Sequence, residues 1–399
     1  MKGVITMQQA FRFRLYPNQE QINKLRQNIG GARFMWNALV ADEMVQYKAD
    51  QQTPLPNGKC HPRLTYTQIK KLQGNEWLAG VDSLALANVS QQYRKARKHF
   101  FDWLKKHNGP RVGMPKFHKK WSTKWSYSTN NQPANADIHH GSICFDEHNK
   151  HVVLPKIGTI RVKAHRQLND NWHISTTTIT EEKSGKWYIT LLVEIGDVVA
   201  WDKTGSIVGI DLGLSRFLTA SDGEIIKRVR FIKNSERKLA KAQRKLSRQR
   251  EVAKKLNKTL AQSKNYQKQR IVVATLHEKI KNQRMDFLNK VSTQLVKNHD
   301  VIGYENLSSR NMQQNHKLAK AIADVGWYSF VLKLQYKADW YGKQVIGVAP
   351  AYTTQTDYET GEVVKKPLDV RKYVNSLGHV IDRDLNASLN IRDKALATL

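Results

Sequence analysis

Three acidic residues of this 399-residue chain stand where an acid is costly. Asp211 interrupts "IVGIDLGLSRFLTA", an apolar stretch of strand character over residues 207–220. Glu305 closes the run Val301-Ile302-Gly303-Tyr304, and Asp384, in "HVIDRDLNASLNIRDKAL", precedes the apolar helical face of Leu385, Leu389 and Ile391. A buried carboxylate is expensive unless it is paired or binds a cation. Taken singly, each reads as a structural acid. Taken together, they make a set of hard oxygen ligands. Hydrolysis of a phosphodiester by two divalent ions about 3.5–4 Å apart needs such a set. Magnesium suits carboxylates together with several retained waters. A bound ion pair would also offset the repulsion of three packed carboxylates.

The rest of the composition is strongly basic, with 66 Lys and Arg against 34 Asp and Glu and a formal net charge of +32. Such a surplus repels itself and is tolerated when a polyanion neutralises it. Nucleic acid is the leading partner, with ribosomal and membrane-surface roles as rivals. No run of roughly 18 apolar residues predicts a transmembrane helix, and the start "MKGVITMQQAFRFRLYP" carries no signal-peptide pattern. Cys60 and Cys144 are the only cysteines, so neither a disulfide framework nor a four-cysteine zinc site is available. The expectation is a soluble, intracellular protein.

Several elements must position these acids. "AFRFRLYP" alternates apolar and basic residues from Phe11 to Tyr16 and reads as a half-buried strand. From Asn18, a plausible cap, the spacing of Ile22, Leu25, Ile29, Phe34, Asn37, Leu39 and Val45 predicts a helix with a weak point at Gly30-Gly31. Residues 52–65 form a Pro/Gly loop, and helix returns over 66–107. After Gly109-Pro110 the β-branched stretches "GSICFD", "HVVLPKIGTIRVKA" and "WHISTTTITEEKSGKWYITLLVEI" predict strands, with a hairpin turn at Glu182–Gly185. The first half is therefore expected to be a small β-barrel interrupted by a helical insertion. Residues 233–290 carry 18 Lys and Arg against 4 Asp and Glu over a helical seam of Leu239, Leu246, Leu256, Leu260, Leu276 and Ile280, with a turn near Ser263–Asn265. A solvated basic hairpin explains that pattern structurally, and its charge points to a phosphate backbone nearby.

The three acidic segments resemble those of a RuvC-like, RNase H-fold nuclease of the TnpB family, transposon-encoded RNA-guided endonucleases related to type V CRISPR effectors. The resemblance extends over "AFRFRLYPNQEQINKLRQNIGGARFMWNALV", "VVLPKIGTIRVKAHRQL" with "GKWYITLLVE", the stretch from "YENLSSRNMQQNHKLAKAIADVGW" to "YGKQV", and "DRDLNASLNI". It implies an α+β multidomain chain. Residues 1–17 with 110–203 would form the wedge β-barrel and 18–109 its helical recognition insertion. Residues 204–399 would form the nuclease, with a mixed sheet and helices, a basic helical insertion at 233–300 and a target-nucleic-acid-binding loop at 351–380. It implies Asp211, Glu305 and Asp384 as the catalytic, metal-binding triad for Mg2+ or Mn2+. Asp384 is preferred to Asp382 because the family's aspartate lies two residues before the motif Asn, here Asn386. It implies a guide RNA, a double-stranded DNA target read beside a short motif, one chain per guide RNA, and a place in the prokaryotic cytosol. Base pairing then supplies sequence specificity while the protein grips the duplex backbone.

Within "VDSLALANVSQQYRKARKHFF", Ser83, Asn88, Gln91 and Gln92 could read base edges, or simply face solvent on a helix. Tyr16, Lys95 and Lys116 are candidates for phosphates, as are Arg244, Lys245, Arg248 and Arg250 of the basic hairpin. The family's zinc ribbon is degenerate here. Asp357 and Thr360 stand at its first cysteine pair, and Val374 and Leu377 at its second. Zinc is not expected, and Tyr373, Val374 and Leu377 are expected to hold the loop by packing on the nuclease. A guide-bound, repressor-like DNA-binding protein without cleavage is the alternative, and a transposase that joins DNA ends ranks last.

Overall fold

The alternation of Phe11, Phe13 and Leu15 with Arg12, Arg14 and Tyr16 produces strand β1 (Gln8–Tyr16), its three apolar side chains buried. The computed structural model describes residues 7–399 except 57–58, 108, 121–124, 134, 197–199, 308–313, 315, 366 and 368–369. The chain divides into two units, Met1–Asp197 and Val198–Leu399. The division precedes the expected 203/204 boundary, because Trp201 stacks on Tyr341 of the second unit at 3.6 Å.

In the first unit, helix α1 (Gln19–Gln52) starts on a capping box, Asn18 and Gln21 each accepting the other's backbone N–H. Gly30-Gly31 does not break it. A Cβ on Gly31 would lie 2.8 Å from Val81 Cγ2, so the glycine admits a close neighbour. The helical stretch 66–107 is split into α2 (Tyr66–Lys71), a 3-10 turn at Glu76–Gly80 and α3 (Ser83–Lys106), whose N-terminus Asp82 caps. The strands β2 (Ser126–Asn130), β3 (Cys144–Phe145), β4 (His151–Leu154), β5 (Gly158–Lys163), β6 (His173–Glu181) and β7 (Trp187–Glu194) join β1 in an antiparallel sheet ordered β2-β6-β7-β1-β5-β4-β3. Among the described residues, β2 and β3 do not pair to close a barrel. Instead the intervening loop links the edges: Ile143 N–H donates to Asn131 Oδ1 (2.8 Å) and Phe145 N–H to the Ile138 carbonyl (2.7 Å). The sheet curls over one core that includes Phe13, Phe145, Ile160, Ile179 and Ile189 and takes Leu25, Met35 and Leu86 from the helices.

The second unit is built on β8 (Ile207–Leu212), β9 (Arg216–Ala220), β10 (Ile225–Lys227), β11 (Val301–Glu305) and β12 (Gln344–Val348), in the order β10-β9-β8-β11-β12. β8, β11 and β12 are parallel; β9 pairs antiparallel with β8, and β10 antiparallel with β9. Every residue of β11 is buried, which explains the run Val301-Ile302-Gly303-Tyr304 ahead of Glu305. Between β10 and β11 stands the basic hairpin of α4 (Phe231–Lys255) and α5 (Lys264–Asn298), packed through Phe231, Leu239 and Ile280. Its break spans 256–263, earlier than expected, and Leu256 lies outside the seam, 59% exposed. Helices α6 (His316–Val325) and α7 (Trp327–Tyr341) follow, then a small hairpin of β13 (Lys372–Val374) and β14 (Val380–Asp382), and helix α8 (Arg383–Leu396). Among the described residues, no helix is long and apolar enough to cross a membrane.

Two glycines set the position of α8. Gly209 on β8 and Gly303 on β11 are register partners. A Cβ on Gly209 would come within 2.1 Å of the Ser388 carbonyl oxygen, and one on Gly303 within 2.7 Å of Ala395 Cβ. The helix therefore lies against the strand backbones. It runs opposite to them, so its first turn reaches the C-terminal ends of β8 and β11.

Candidate functional site

Those strand ends carry Asp211 and Glu305, and the first turn of α8 carries Asp384. The fold thus gathers three acids from positions 211, 305 and 384. Burial first, then the charges of Glu305 and Asp384, push the Asp211 carboxyl up to about 8, against the opposing pull of Arg383 and Arg371. No hydrogen bond or ion pair from the described residues reaches the Asp211 carboxylate. Burial also raises Glu305, which accepts a very short hydrogen bond from the buried Thr353 hydroxyl. Asp384 is surrounded by guanidinium groups. Arg371 Nη1 donates to both of its oxygens at 3.1 and 3.3 Å, while Arg383 and Arg216 stand at 3.8 and 3.9 Å.

The structure separates the two aspartates of the third motif. Asp382 is the N-cap of α8: its Oδ1 accepts from the backbone of Asp384 (3.0 Å) and Leu385 (3.3 Å), and Arg216 Nη1 donates to both of its oxygens. It is occupied structurally. Asp384 is the member of the pair whose charge bears on Asp211.

The donor set is three carboxylates with no soft ligand, which fits a hard divalent ion. Among the described residues, however, no three His, Cys, Asp or Glu side chains stand close enough to hold an ion as they are. Arg371 and Thr353 engage two of the three acids.

Three family profiles match in chain order: "Helix-turn-helix domain" at 7–52, "Probable transposase" at 190–316 and "Cas12f1-like, TNB domain" at 327–391. The "Putative RNA-guided DNA endonuclease InsQ" of Escherichia coli (strain K12) is 29% identical over 400 residues, covering 96% of this chain and 91% of the relative. A "Putative RNA-guided DNA endonuclease" of Streptomyces pristinaespiralis is also 29% identical, over 98% of this chain and 90% of its own. These matches agree with the resemblance to the TnpB family along most of the chain. Its fold is that of the Cas12f1 chain in a complex with sgRNA and target DNA, at a TM-score of 0.56 and 11% identity over 97% of this chain and 99% of that one. In this chain, the segment matched as helix-turn-helix is one strand followed by one unbroken helix.

The residues considered for nucleic acid fall into two groups. Tyr16 is exposed and lines an open cavity with Lys150, His151, Arg161 and Lys163. Ser83, Gln91, Gln92, Lys95 and Lys116 are exposed, as are Arg244, Lys245, Arg248 and Arg250 on α4. Among the described residues, none of those four basic side chains forms an ion pair. Asn88 departs from expectation. It is buried, donates to Asn130 Oδ1 (2.8 Å) and accepts from Gln92 Nε2 (2.6 Å), so it braces α3 against β2.

The cysteine-less ribbon also differs from expectation. Val374 and Leu377 are 64% and 62% exposed and do not pack on the nuclease. A polar network holds the segment instead. The buried Asp357 carboxylate accepts from Tyr373 Oη (2.6 Å) and from the backbone N–H groups of Glu359 and Thr360. Burial alone would raise its pKa, yet these hydrogen bonds hold it below the usual carboxylate range. Glu359 accepts from Asn375 Nδ2 (2.7 Å) and pairs with His379 Nδ1 (2.9 Å). Asn386 ties the segment to α8, donating to the Thr356 carbonyl and accepting from Tyr358 N–H. Thr353, Arg371, Arg216 and Asn386 were not marked as site residues by sequence, since their importance lies in which distant side chain each meets.

Proposed function

We propose that this chain is an RNA-guided DNA endonuclease. It holds a guide RNA, recognises a short motif beside its double-stranded DNA target and hydrolyses phosphodiester bonds at Asp211, Glu305 and Asp384. The observation that carries the reading is the placement of α8 on the Gly209–Gly303 pair, which brings the charges of Glu305 and Asp384 to bear on Asp211. Asp211, Glu305 and Asp384 would hold two magnesium or manganese ions, whose chemistry when bound is to activate water and to stabilise the leaving oxygen. Glu305 is kept in place by Thr353, and Asp384 is oriented by its position in the turn that Asp382 caps. The curled sheet serves as a wedge and helices α1–α3 as a recognition insertion. Tyr16, Ser83, Gln91, Gln92, Lys95, Lys116 and the four basic residues of α4 contact nucleic acid. The chain acts in the cytosol, one copy per guide RNA.

Sequencing the RNA that copurifies with the protein identifies the guide. The complex is then presented with a matching plasmid and magnesium. Cleavage that follows a reprogrammed guide, and that Asp211→Ala abolishes while target binding persists, is the expected result. Cleavage by Asp211→Ala at the wild-type rate overturns the site assignment.

A further inference from the structure

Asp384 already has a cationic partner from within the chain. Arg371 places one nitrogen, Nη1, within hydrogen-bond distance of both carboxylate oxygens, 3.1 and 3.3 Å away. The two other arginines near Asp384 are committed elsewhere: Arg216 to Asp382, and Arg383 to the Pro367 carbonyl. Arg371 is half exposed on its side chain, whereas Asp384 retains only 10% of its own exposure. The arginine therefore approaches a buried acid from the open side. Thr353, which engages Glu305, belongs to the same cysteine-less segment that precedes α8. Both acids are thus occupied by side chains of one segment.

We propose that Arg371 is a resident substitute cation: it neutralises Asp384 while no divalent ion is bound and must release that carboxylate before an ion is coordinated. The inference rests on the metal-binding role assigned above to the three acids. A carboxylate oxygen directed at a guanidinium cannot at the same time direct that lone pair at an ion, so the two cations compete for Asp384. Among the described residues no three acids stand close enough to hold an ion, which agrees with a guanidinium occupying one of them. Arg371 is a positioning residue in this scheme. Its effect is exerted on the affinity for the ion.

The test is Mn2+ binding to the full-length, nucleic-acid-free protein, read from the free Mn2+ electron paramagnetic resonance signal. Removing an ion pair of this exposure should be worth about fivefold, near the upper end for partly exposed pairs. Arg371→Ala is expected to lower the Mn2+ dissociation constant by that factor, while Arg371→Lys, a cation of the same sign, stays near wild type. Asp211→Asn is the reference and should weaken binding in both backgrounds. If Asp211→Asn weakens binding but Arg371→Ala leaves it unchanged or weaker, the substitute-cation proposal fails and the metal site stands. If Asp211→Asn has no effect, the metal site itself fails and the proposal with it. Thermal melts show whether each variant is folded. Should Arg371→Ala unfold, Arg371→Gln, which keeps a hydrogen-bond donor but not the charge, carries the same expectation and the same refutation.

Discussion

Replacing Asp211 by Asn should stabilise the metal-free protein, and the gain should grow with pH. The Asp211 carboxyl is pushed up to about 8 from an ordinary 3.8 by burial and by Glu305 and Asp384. The folded state therefore keeps a proton that the unfolded chain releases. Its contribution is undiminished below the unfolded value and is lost as pH rises through the interval from about 4 to about 8. At pH 7 the handicap relative to an unperturbed carboxylate is at most about 4 kcal/mol, each unit being worth about 1.4 kcal/mol. An amide does not titrate, but burying it without partners costs about 1–3 kcal/mol. The net gain for Asp211→Asn at pH 7 is then about 1–3 kcal/mol. At pH 5 the handicap falls to about 1.6 kcal/mol and the amide cost cancels it.

Thermal melts in EDTA at pH 5, 7 and 8.5 read this directly. For a unit of about 200 residues, each kcal/mol shifts Tm by about 2–4 °C, so the variant should melt roughly 2–12 °C higher at pH 7 and no higher at pH 5. Magnesium should reverse the order, because an ion that binds only the folded wild type stabilises it by mass action. A Tm difference that is the same at pH 5 and pH 8.5, or a variant less stable at every pH, would refute the claim that Asp211 carries a like-charge and desolvation burden.

Gly209→Ala should destabilise the protein by about 3 kcal/mol or more and depress cleavage without loss of guide RNA, since its Cβ would meet the Ser388 backbone at 2.1 Å and lift α8 from the sheet; wild-type cleavage with an unchanged Tm would contradict this. Tyr373→Phe removes one donor from buried Asp357 and should cost about 1–3 kcal/mol locally, seen as faster hydrogen exchange at Glu359 and Thr360; unaltered protection there would remove the network from its role. Neutralising Arg244, Lys245, Arg248 and Arg250 together should reduce the log–log salt slope of RNA binding by up to about 3, and an identical slope would return the hairpin to a purely structural part. Elemental analysis should find no stoichiometric zinc; one zinc per chain, lost together with activity on selective chelation, would mean that His379 and nearby acids bind metal.

Much of the site was legible because its acids sit in strong local patterns. Asp211 and Glu305 each end or interrupt a β-branched apolar run, and Asp384 opens an apolar helical face, so strand, strand and helix follow from periodicity alone. What periodicity does not encode is register. Gly209 and Gly303 are 94 positions apart in sequence, and only their pairing in parallel strands makes a seat for α8. The same limit explains Asn88, which helical spacing left facing solvent but which meets Asn130 of β2. It explains α1 as well: the glycines at 30 and 31 weaken a helix by about 1 kcal/mol each, yet Val81 needs the space that Gly31 leaves. In the segment 351–380, apolar residues at positions 374 and 377 suggested apolar packing. Val374 and Leu377 face solvent, and the cross-links run through Asp357, Tyr373, Glu359 and His379, none of which forms a local motif.

That network has a consequence for the site. A zinc ribbon holds its loops to one another through metal bonds, whereas here the segment is also fastened to the helix that presents Asp384. Asn386 and Asn390, one turn apart on α8, both donate to the Thr356 carbonyl, and Asn390 also donates to that of Thr353. Asp357, next in sequence, accepts from Tyr373, two residues beyond Arg371. Thr353 and Arg371 are therefore positioned from the same helix as the acid that Arg371 meets. Without any cysteine in it, the segment is still held to the helix that carries Asp384 by hydrogen bonds from α8. Asn390→Ala would release the Thr353 carbonyl and so disturb Glu305, which the Thr353 hydroxyl holds and to which Asn390 itself makes no hydrogen bond among the described residues.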